Sequence, residues 1–438
     1  MLSARNRELF GLLPVGLAVS AGFAAVLIAR GGEVNDLTVT YGAAFLVLCL
    51  AGHLFIRAAL PDADPYIYPI TAALAGVGIV TVYRIDPELA REQAQWFVLG
   101  LGCFAGTILI LRDLSLLERY RYTIAAGALL LLVLPRLTGG IQNGAYLQID
   151  LGPVAFQPAE LAKIAVVIFI AAYLADTREL MVAYEKRFLG ISVPPLRYFG
   201  PMLVVWAFAM LLLVFIRDLG SSVMFFGGFL ALLYVATGRG SYFVLGLGMF
   251  IFGFLFFEST VGHVGARVDI WRDPLNPVLY GAQGGSFQIA QGMFAQADGG
   301  LLGVGLGEAL LRSGGAPILP AAQTDLIYAV IVNEAGLIGA VALLMVYLVF
   351  VERGLKTAIL ASDPFAKLLA AGLTAVFALQ VFVIVGGVTK VIPLTGVTLP
   401  LVSYGGSSIV ANFILVALLM IVSNQARRER DVGSGGLV

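Results

Sequence analysis

The sequence predicts an all-α protein that crosses a membrane about twelve times, and its composition and its apolar runs both support this. Of its 438 residues, 60% are hydrophobic and 12% are charged, whereas soluble domains carry about 25% charged residues. The mean hydropathy is +0.94, and a water-soluble fold cannot bury that much apolar surface. Inside a bilayer no water is available to hydrogen-bond with the backbone, so the apolar runs are expected to be helices.

Twelve apolar runs, bounded by charges or turn residues, have about the length of a membrane span. They lie near residues 10–29, 40–56, 67–83, 96–111, 122–135, 160–175, 198–216, 219–237, 241–258, 326–351, 365–389 and 400–424. The first run is followed by no small-residue cleavage pattern, so it is expected to be a retained helix rather than a signal peptide. Cys49 and Cys103 both lie inside apolar runs, which is typical of small packing residues.

The distribution of charge predicts the orientation. With a cytoplasmic N-terminus, seventeen Lys and Arg residues fall on the cytoplasmic side and eight on the other. Since positive loops stay in the cytoplasm, both termini are expected there, in a multi-pass protein of the cytoplasmic membrane. The net charge of zero gives no indication of a nucleic-acid partner.

In this topology residues 259–325 form a long loop on the outer face of the membrane, and residues 139–160 lie on the same face. Loops this long without regular structure are uncommon, and the aromatic and aliphatic content of this one argues against disorder. We therefore expect re-entrant or interfacial helices packed over the bundle.

Three charged residues near these outer loops are candidates for chemistry. Asp325 lies where the long loop enters the next apolar run, and it could act as a helix cap or as a general base whose pKa is raised by burial. Lys163 lies about one turn inside another run, where a charge is costly unless it faces a wet cavity or a partner; the alternative is a side chain that snorkels to the headgroups. Glu160 is three positions away and can pair with Lys163.

Two further segments carry polar side chains. Arg267 and Arg272 flank Trp271 in the long loop, a pattern that suits lipid pyrophosphate binding or, equally, an amphipathic segment resting on headgroups. Residues 403–408 are mostly Ser and Gly at the predicted start of the last helix. Small residues there favour close helix packing, with a cavity-lining role as the second interpretation.

Six blocks of sequence, in order along the chain, resemble the signature blocks of the FtsW/RodA/SpoVE family, also called SEDS proteins. They are FQPAELAK (156–163), RDLGSS (217–222), RVDIWRDP (267–274), GGLLGVGLG (299–307), QTDLIYAVIVNEAGLIG (323–339) and IPLTGVTLPLVSYGGSS (392–408). The resemblance covers about residues 67–425, so residues 1–66 are expected to add two helices to the family's usual ten, and residues 426–438 to form a cytoplasmic tail. The chain departs from the family at Leu147 and Gln148, where the family has an arginine and a tryptophan. It also has LPA at residues 319–321 and NEAG at residues 333–336, where the family has LPE and EELG.

The resemblance implies a peptidoglycan glycosyltransferase that polymerises lipid II into glycan strands at the outer face of the membrane, beside a class B penicillin-binding protein. The form GGVTKVIPLTG and the two extra helices resemble RodA-like members, which favours cell elongation over division. The alternatives are a lipid II flippase or transporter, and a non-catalytic scaffold for the penicillin-binding protein.

Glycan transfer needs a base for the sugar hydroxyl and positive charge for the departing pyrophosphate, supplied by Arg, Lys or a divalent cation such as Mg²⁺ or Mn²⁺. The resemblance assigns the catalytic role to Asp325, and no residue is assigned to a metal. The expected substrate-binding residues are Glu160, Lys163, Arg267, Arg272, Gln288, Lys390, Ser403 and Ser407.

Overall fold

The structure is a computed structural model of the chain. It describes residues 3–31, 36–138, 148–150, 155–184, 186–188, 191–193, 195–216, 218–282, 284–313 and 316–435. These residues are almost entirely helical, and they contain 12 helices long and apolar enough to cross a membrane. The predicted fold class and the predicted number of spans are confirmed.

The helices follow one another in a bundle, with three short antiparallel ribbons between them. The helices are α1 (Ala4–Ala29), α2 (Asp36–Ala59), α3 (Ile67–Ile85), α4 (Pro87–Ile110), α5 (Ser115–Arg119), α6 (Arg121–Thr138), α7 (Pro158–Ala183), α8 (Leu196–Ile216), α9 (Leu219–Thr237), α10 (Gly240–Thr260), α11 (Gly262–Arg272), α12 (Pro277–Gly281), α13 (Phe287–Gly299), α14 (Ile327–Leu360), α15 (Pro364–Val388) and α16 (Gly406–Gly435). The ribbons pair β1 (Ile149–Asp150) with β2 (Ala155–Phe156), β3 (Lys186–Phe188) with β4 (Ile191–Val193), and β5 (Arg312–Ser313) with β6 (Ala316–Pro317).

Burial separates central helices from peripheral ones. Most residues of the spans in α7, α15 and α16 are buried, whereas few of those in α8 and α10 are. The exposed side chains of α8 and α10 are mostly apolar, because acyl chains rather than water surround a membrane helix. The middle of the bundle is thus built by α7, α15 and α16.

The long segment between α10 and α14 contains the three helices α11, α12 and α13, which confirms the expectation of ordered helices there. The start of the last helix was predicted wrongly, at residue 400, since α16 begins at Gly406. Leu401 has a φ of 66°, and the Ser403 hydroxyl accepts a hydrogen bond from the Leu399 N–H at 2.9 Å. Such side-chain bonds to the backbone compete with helix formation.

Helix α14 is broken at Gly336, whose φ is 66° and ψ is −172°. The segment that follows α13 lies in this break and completes its hydrogen bonds. The N–H groups of Val304 and Gly305 donate to the carbonyl oxygens of Asn333 and Glu334 at 2.9 and 3.1 Å. Residues 300–309 are called the break loop below.

A close backbone approach at Gly78 in α3 gives a prediction about stability. A Cβ on this glycine would lie 2.6 Å from the Val402 carbonyl oxygen and 2.7 Å from that of Leu401. We expect Gly78→Ala to lower the free energy of unfolding by about 1–3 kcal/mol, because backbone cannot move aside as a side chain can. Thermal denaturation of the detergent-purified variant measures the effect.

Gly102 in α4 is the matched control for this experiment, since a Cβ there has nothing within 4 Å. Alanine favours an exposed helix over glycine by up to about 1 kcal/mol, so Gly102→Ala should leave the melting temperature unchanged or raise it slightly. Equal melting temperatures for the two variants would contradict the packing argument.

Candidate active site

Asp325 lies in the turn that leads into α14, next to α13 and to the segment between α15 and α16. The side chains of Gln288 and Thr324 hydrogen-bond to its carboxylate. A Cβ on Gly396 would lie 3.7 Å from one carboxylate oxygen. The N-cap residue of α14 is Leu326, with no side-chain cap bond, so the structure does not support the helix-cap interpretation of Asp325.

The environment of Asp325 favours proton transfer near neutral pH. Burial raises the pKa of Asp325 to about 6, and this is the largest influence on it. The hydrogen bonds from Gln288 and Thr324 and the positive charge of Arg267 lower the pKa and partly offset the burial. The side chain remains half-buried rather than sealed. A carboxylate with this pKa is mostly ionised at pH 7 and is a stronger base than an ordinary aspartate.

Arg267 supplies positive charge beside this carboxylate. Its Nη1 donates to the Thr395 carbonyl oxygen at 3.5 Å. Burial lowers the pKa of Arg267, while the negative charges of Asp218 and Asp325 oppose that effect, and a guanidinium keeps its proton in proteins. The hydroxyl of Thr395 is buried without a hydrogen-bond partner among the described residues. Arg267 thus interacts with two carboxylates and has a free hydroxyl nearby.

Asp218 caps the start of α9 and also interacts electrostatically with Arg267. One of its carboxylate oxygens accepts from the Ser221 N–H at 2.9 Å and the other from the Ser221 hydroxyl at 2.7 Å, which caps the helix. Burial raises the pKa of Asp218, the negative charge of Glu160 raises it further, and Arg267 lowers it. Asp218 and Arg217 begin the RDLGSS block of the sequence. Arg217 lies outside the described residues.

Lys163 and Glu160 form a buried pair near the start of α7. The Lys163 Nζ donates to Glu160 Oε2 at 2.5 Å and to Gln380 Oε1 at 2.6 Å. Gln380 in turn donates to the Thr398 carbonyl oxygen at 2.9 Å. The predicted Glu160–Lys163 pair is confirmed, and Lys163 is 3% exposed, so it does not snorkel to a surface. A narrow apolar pocket extends from Lys163 between α7, α9 and α15.

The two serines predicted to contact substrate both hold backbone in place. The Ser403 hydroxyl donates to the Thr324 carbonyl oxygen at 2.7 Å, one residue from Asp325. The Ser407 hydroxyl accepts from the Gln157 N–H at 2.9 Å, which joins the start of α16 to the start of α7. These contacts agree with the packing interpretation of residues 403–408.

Arg272 and Lys390 have different surroundings. Arg272 Nη2 lies 2.7 Å from Glu258 Oε1, and the Arg272 side chain is 58% exposed. The Trp271 Nε1 donates to the Lys390 carbonyl oxygen at 3.0 Å, and Lys390 has a φ of 62°. The structure therefore brings Asp325, Gln288 and Arg267 together and joins Lys163 to Glu160, whereas Arg272 pairs with Glu258.

Two contributors to the site were missed in the sequence. Gln380 holds Lys163, and its signal was a polar residue inside the apolar run of α15. Asp218 lies in the RDLGSS block but was not among the predicted site residues, although its charge acts on Arg267. Among the described residues, no group of three or more His, Cys, Asp and Glu side chains could hold a metal ion.

Comparison with known proteins identifies the family of the chain. Residues 67–428 match the FtsW/RodA/SpoVE family, described as cell cycle proteins. The chain is 40% identical to the peptidoglycan glycosyltransferase RodA of Mycobacterium tuberculosis, over 97% of this chain and 91% of that protein. It is 32% identical to a probable peptidoglycan glycosyltransferase FtsW of Geobacter metallireducens, over 83% of this chain and 95% of that protein.

Solved structures agree with the fold. A chain from a peptidoglycan synthase complex, in a study of how polymerization and crosslinking are coordinated, matches with a TM-score of 0.64 and 25% identity over 82% of this chain and 97% of that one. The rod shape determining protein RodA of Thermus thermophilus matches with a TM-score of 0.59 and 24% identity, over 82% and 96% of the two chains, and supports the fold alone. From its helices and these matches, this multi-pass membrane protein belongs to the FtsW/RodA/SpoVE family.

Proposed function

We propose that this chain is a peptidoglycan glycosyltransferase, and that Asp325 is its general base. The activity rests on the 40% identity to mycobacterial RodA across almost the whole chain. The role of Asp325 is supported by one arrangement: a half-buried carboxylate, hydrogen-bonded by Gln288 and Thr324, interacts electrostatically with the guanidinium of Arg267, and burial raises its pKa to about 6. The proposed substrate is lipid II, polymerised at the outer face of the cytoplasmic membrane, with both termini in the cytoplasm.

In the proposed reaction an acceptor sugar hydroxyl attacks the anomeric carbon of the donor. Asp325 takes the hydroxyl proton as the new glycosidic bond forms, because a sugar hydroxyl is a poor nucleophile at neutral pH. The bond between the anomeric carbon and the lipid pyrophosphate breaks, and the negative charge of the leaving group is stabilised by Arg267. Gln288 orients the Asp325 carboxylate through its hydrogen bond.

The other assigned residues would contact or frame the substrate. Lys163 with Glu160 would provide charge at the start of α7, Ser403 and Ser407 would hold the backbone near Asp325 and at the start of α7, and Arg272 and Lys390 would lie at the edge of the site. A requirement for Mg²⁺ or Mn²⁺ stays a prediction.

The partner and the division of the chain are also proposals. A class B penicillin-binding protein is the proposed partner, supported by the match to a chain of a peptidoglycan synthase complex. Residues 1–66 would be a two-helix extension, residues 67–425 the catalytic membrane domain with 259–325 as its outer loop, and residues 426–438 a tail. The higher identity to RodA than to FtsW supports a role in elongation rather than division.

Labelled lipid II tests the function directly. The purified protein, with its partner in proteoliposomes, is given this substrate, and the glycan products are separated on a gel. Polymer from the wild type supports the transferase. Movement of label across the bilayer without polymer would support a transporter, and polymer that persists without the Asp325 carboxylate would support a scaffold or another base.

The pH dependence of polymer formation follows from the raised pKa of Asp325. The base acts only when ionised, so kcat should rise with pH between about 5 and 7 and level off above, with a midpoint near the pKa of about 6. Initial rates of polymer formation at saturating lipid II across this range would measure it. A flat profile down to pH 4.5 would contradict a base with this pKa.

A further inference from the structure

A buried ion pair joins the end of α3 to the break in α14. Arg84 Nε lies 2.9 Å from Glu334 Oε1, and Arg84 Nη2 donates to the Ala309 carbonyl oxygen at 2.8 Å. The Ala309 N–H also donates to Glu334 Oε1, at 3.4 Å. The side chain of Glu334 is 5% exposed and that of Arg84 14%. Because a buried ion left without its partner is costly, neither residue can be lost without disturbing the other.

The break loop, residues 300–309, is bonded through Ala309 to both Arg84 and Glu334. It donates backbone hydrogen bonds to α14 on one side of Gly336 and accepts them from the other side, where the Leu337 N–H donates to the Gly300 carbonyl oxygen at 3.0 Å. A Cβ on Gly303 would lie 2.1 Å from the Glu334 carbonyl oxygen. This close contact leaves the backbone of the loop little room to move toward α14.

The break loop is continuous with the helix that supports Asp325. Helix α13 ends where the loop begins, and its Gln288 hydrogen-bonds to the Asp325 carboxylate. The Asn333 Nδ2 donates to the Ala295 carbonyl oxygen at 2.7 Å, which ties α13 to the first part of α14. A shift of the loop would therefore move both the residue that orients the base and the helix that follows the base.

The end of α1 packs against the break loop and against the end of α3. A Cβ on Gly307 would lie 2.4 Å from the Ala29 Cβ at the end of α1. Arg30 Nη2 donates to the carbonyl oxygens of Tyr83 and Arg84 at 3.0 and 2.9 Å. Both contacts come from the part of the chain that precedes the family match at residue 67.

We propose that Arg84 and Glu334 form a clamp that positions the Asp325–Gln288 pair for reaction, with the end of α1 as its support. Glu334 and Arg84 are positioning residues, since they act through the break loop and α13 rather than on the substrate. The inference rests on the proposed function of Asp325 as the base.

Glu334→Gln tests the clamp because it keeps the size of the side chain and removes its charge. We expect kcat for polymer formation to fall about tenfold or more, as small displacements of catalytic groups do, while KM for lipid II changes less than about twofold because the substrate contacts remain. The midpoint of the pH profile should rise, since a loosened Gln288 no longer lowers the pKa of Asp325. Arg84→Lys retains the positive charge, so kcat should fall less in this variant than in Glu334→Gln.

Hydrogen–deuterium exchange gives a second readout that does not depend on activity. The N–H groups of Val304 and Gly305 should exchange at least about tenfold faster in Glu334→Gln, since their bonds to α14 open more often. The matched control is Asp176→Asn, which removes the carboxylate of the ion pair between Asp176 and Arg121 at a site more exposed to solvent. Its polymer formation and break-loop exchange should equal those of the wild type.

The outcomes distinguish a failure of the proposed clamp from a failure of the proposed role of Asp325 as the base. Unchanged exchange in Glu334→Gln, or faster exchange with unchanged kcat and pH midpoint, would overturn the clamp. Polymer formation by a chain without the Asp325 carboxylate would instead overturn the proposed base, whatever the exchange shows. If Glu334→Gln does not fold, the same measurements on Arg84→Lys decide, because that variant leaves no charge unpaired.

Discussion

Replacing Asp325 with Asn should lower the rate of polymer formation by about 10²–10⁴-fold, which is the usual contribution of a positioned general base. Asparagine has nearly the same shape and can still bond to Gln288 and Thr324, but it cannot take a proton from the acceptor hydroxyl. The measurement is the initial rate of polymer formation from labelled lipid II at a pH above the midpoint. Substrate binding should change much less, because the positive charge of Arg267 remains.

The same substitution should not weaken the fold. The pKa of Asp325 rises from 3.8 to about 6 on folding, so the native state binds the proton more tightly than the unfolded state does. Stability contributed by this group therefore falls as pH rises from about 4 to about 6, and the ionised carboxylate is unfavourable above that range. Asp325→Asn removes the charge, and its melting temperature at pH 7 should equal or exceed that of the wild type.

Asp298→Asn is the matched control for this variant, since Asp298 is an exposed carboxylate near the end of α13. It should polymerise at the wild-type rate. A rate for Asp325→Asn above about one tenth of wild type, in protein that is folded, would rule out Asp325 as the principal base.

Replacing Lys163 with Met should have the second large effect, on both stability and activity. The substitution leaves Glu160, which is 5% exposed, as a buried charge without its partner, and this usually costs about 3–5 kcal/mol. Gln380 would also lose the donor at 2.6 Å. We expect a marked fall in the melting temperature in detergent and almost no polymer.

The double variant Lys163→Met/Glu160→Gln separates the two effects. Both side chains are then neutral and similar in size to the originals, so most of the lost stability should return, as it does when a buried ion pair is replaced as a whole. Polymer formation should stay low, because the proposed substrate contact of Lys163 is still missing. Wild-type activity in the double variant would show that the pair is only structural.

The membrane spans could be predicted from the sequence because composition and run length alone decide whether a helix crosses lipid. The start of the last helix could not. Residues 400–405 are as apolar and small as the helix they precede, but they form turns in which the Ser403 hydroxyl accepts from the Leu399 N–H and donates to the Thr324 carbonyl oxygen. Thr324 lies 79 residues from Ser403 in the chain, so no local sequence pattern predicts this contact.

The site was predictable in part. The pairing of Lys163 with Glu160 follows from their spacing of three along one helix. Gln380, which completes that network, lies 217 residues from Lys163, and Arg84 lies 250 residues from Glu334. No helical periodicity relates such pairs, so the packing of the bundle had to be known first. The resemblance suggested the proposed role of Asp325, but its neighbours Gln288 and Gly396 come from different segments.

The exposed position of α10 has a consequence for the enzyme in its bilayer. Helix α10 has few buried residues, and only Val261 separates it from α11, which carries Arg267. A peripheral helix of 21 residues adjusts its tilt when the surrounding hydrocarbon is thicker or thinner than its apolar length. Hydrophobic mismatch at α10 would thus be transmitted to α11 and Arg267, so we expect the acyl-chain length of the lipids to influence the geometry of the proposed site.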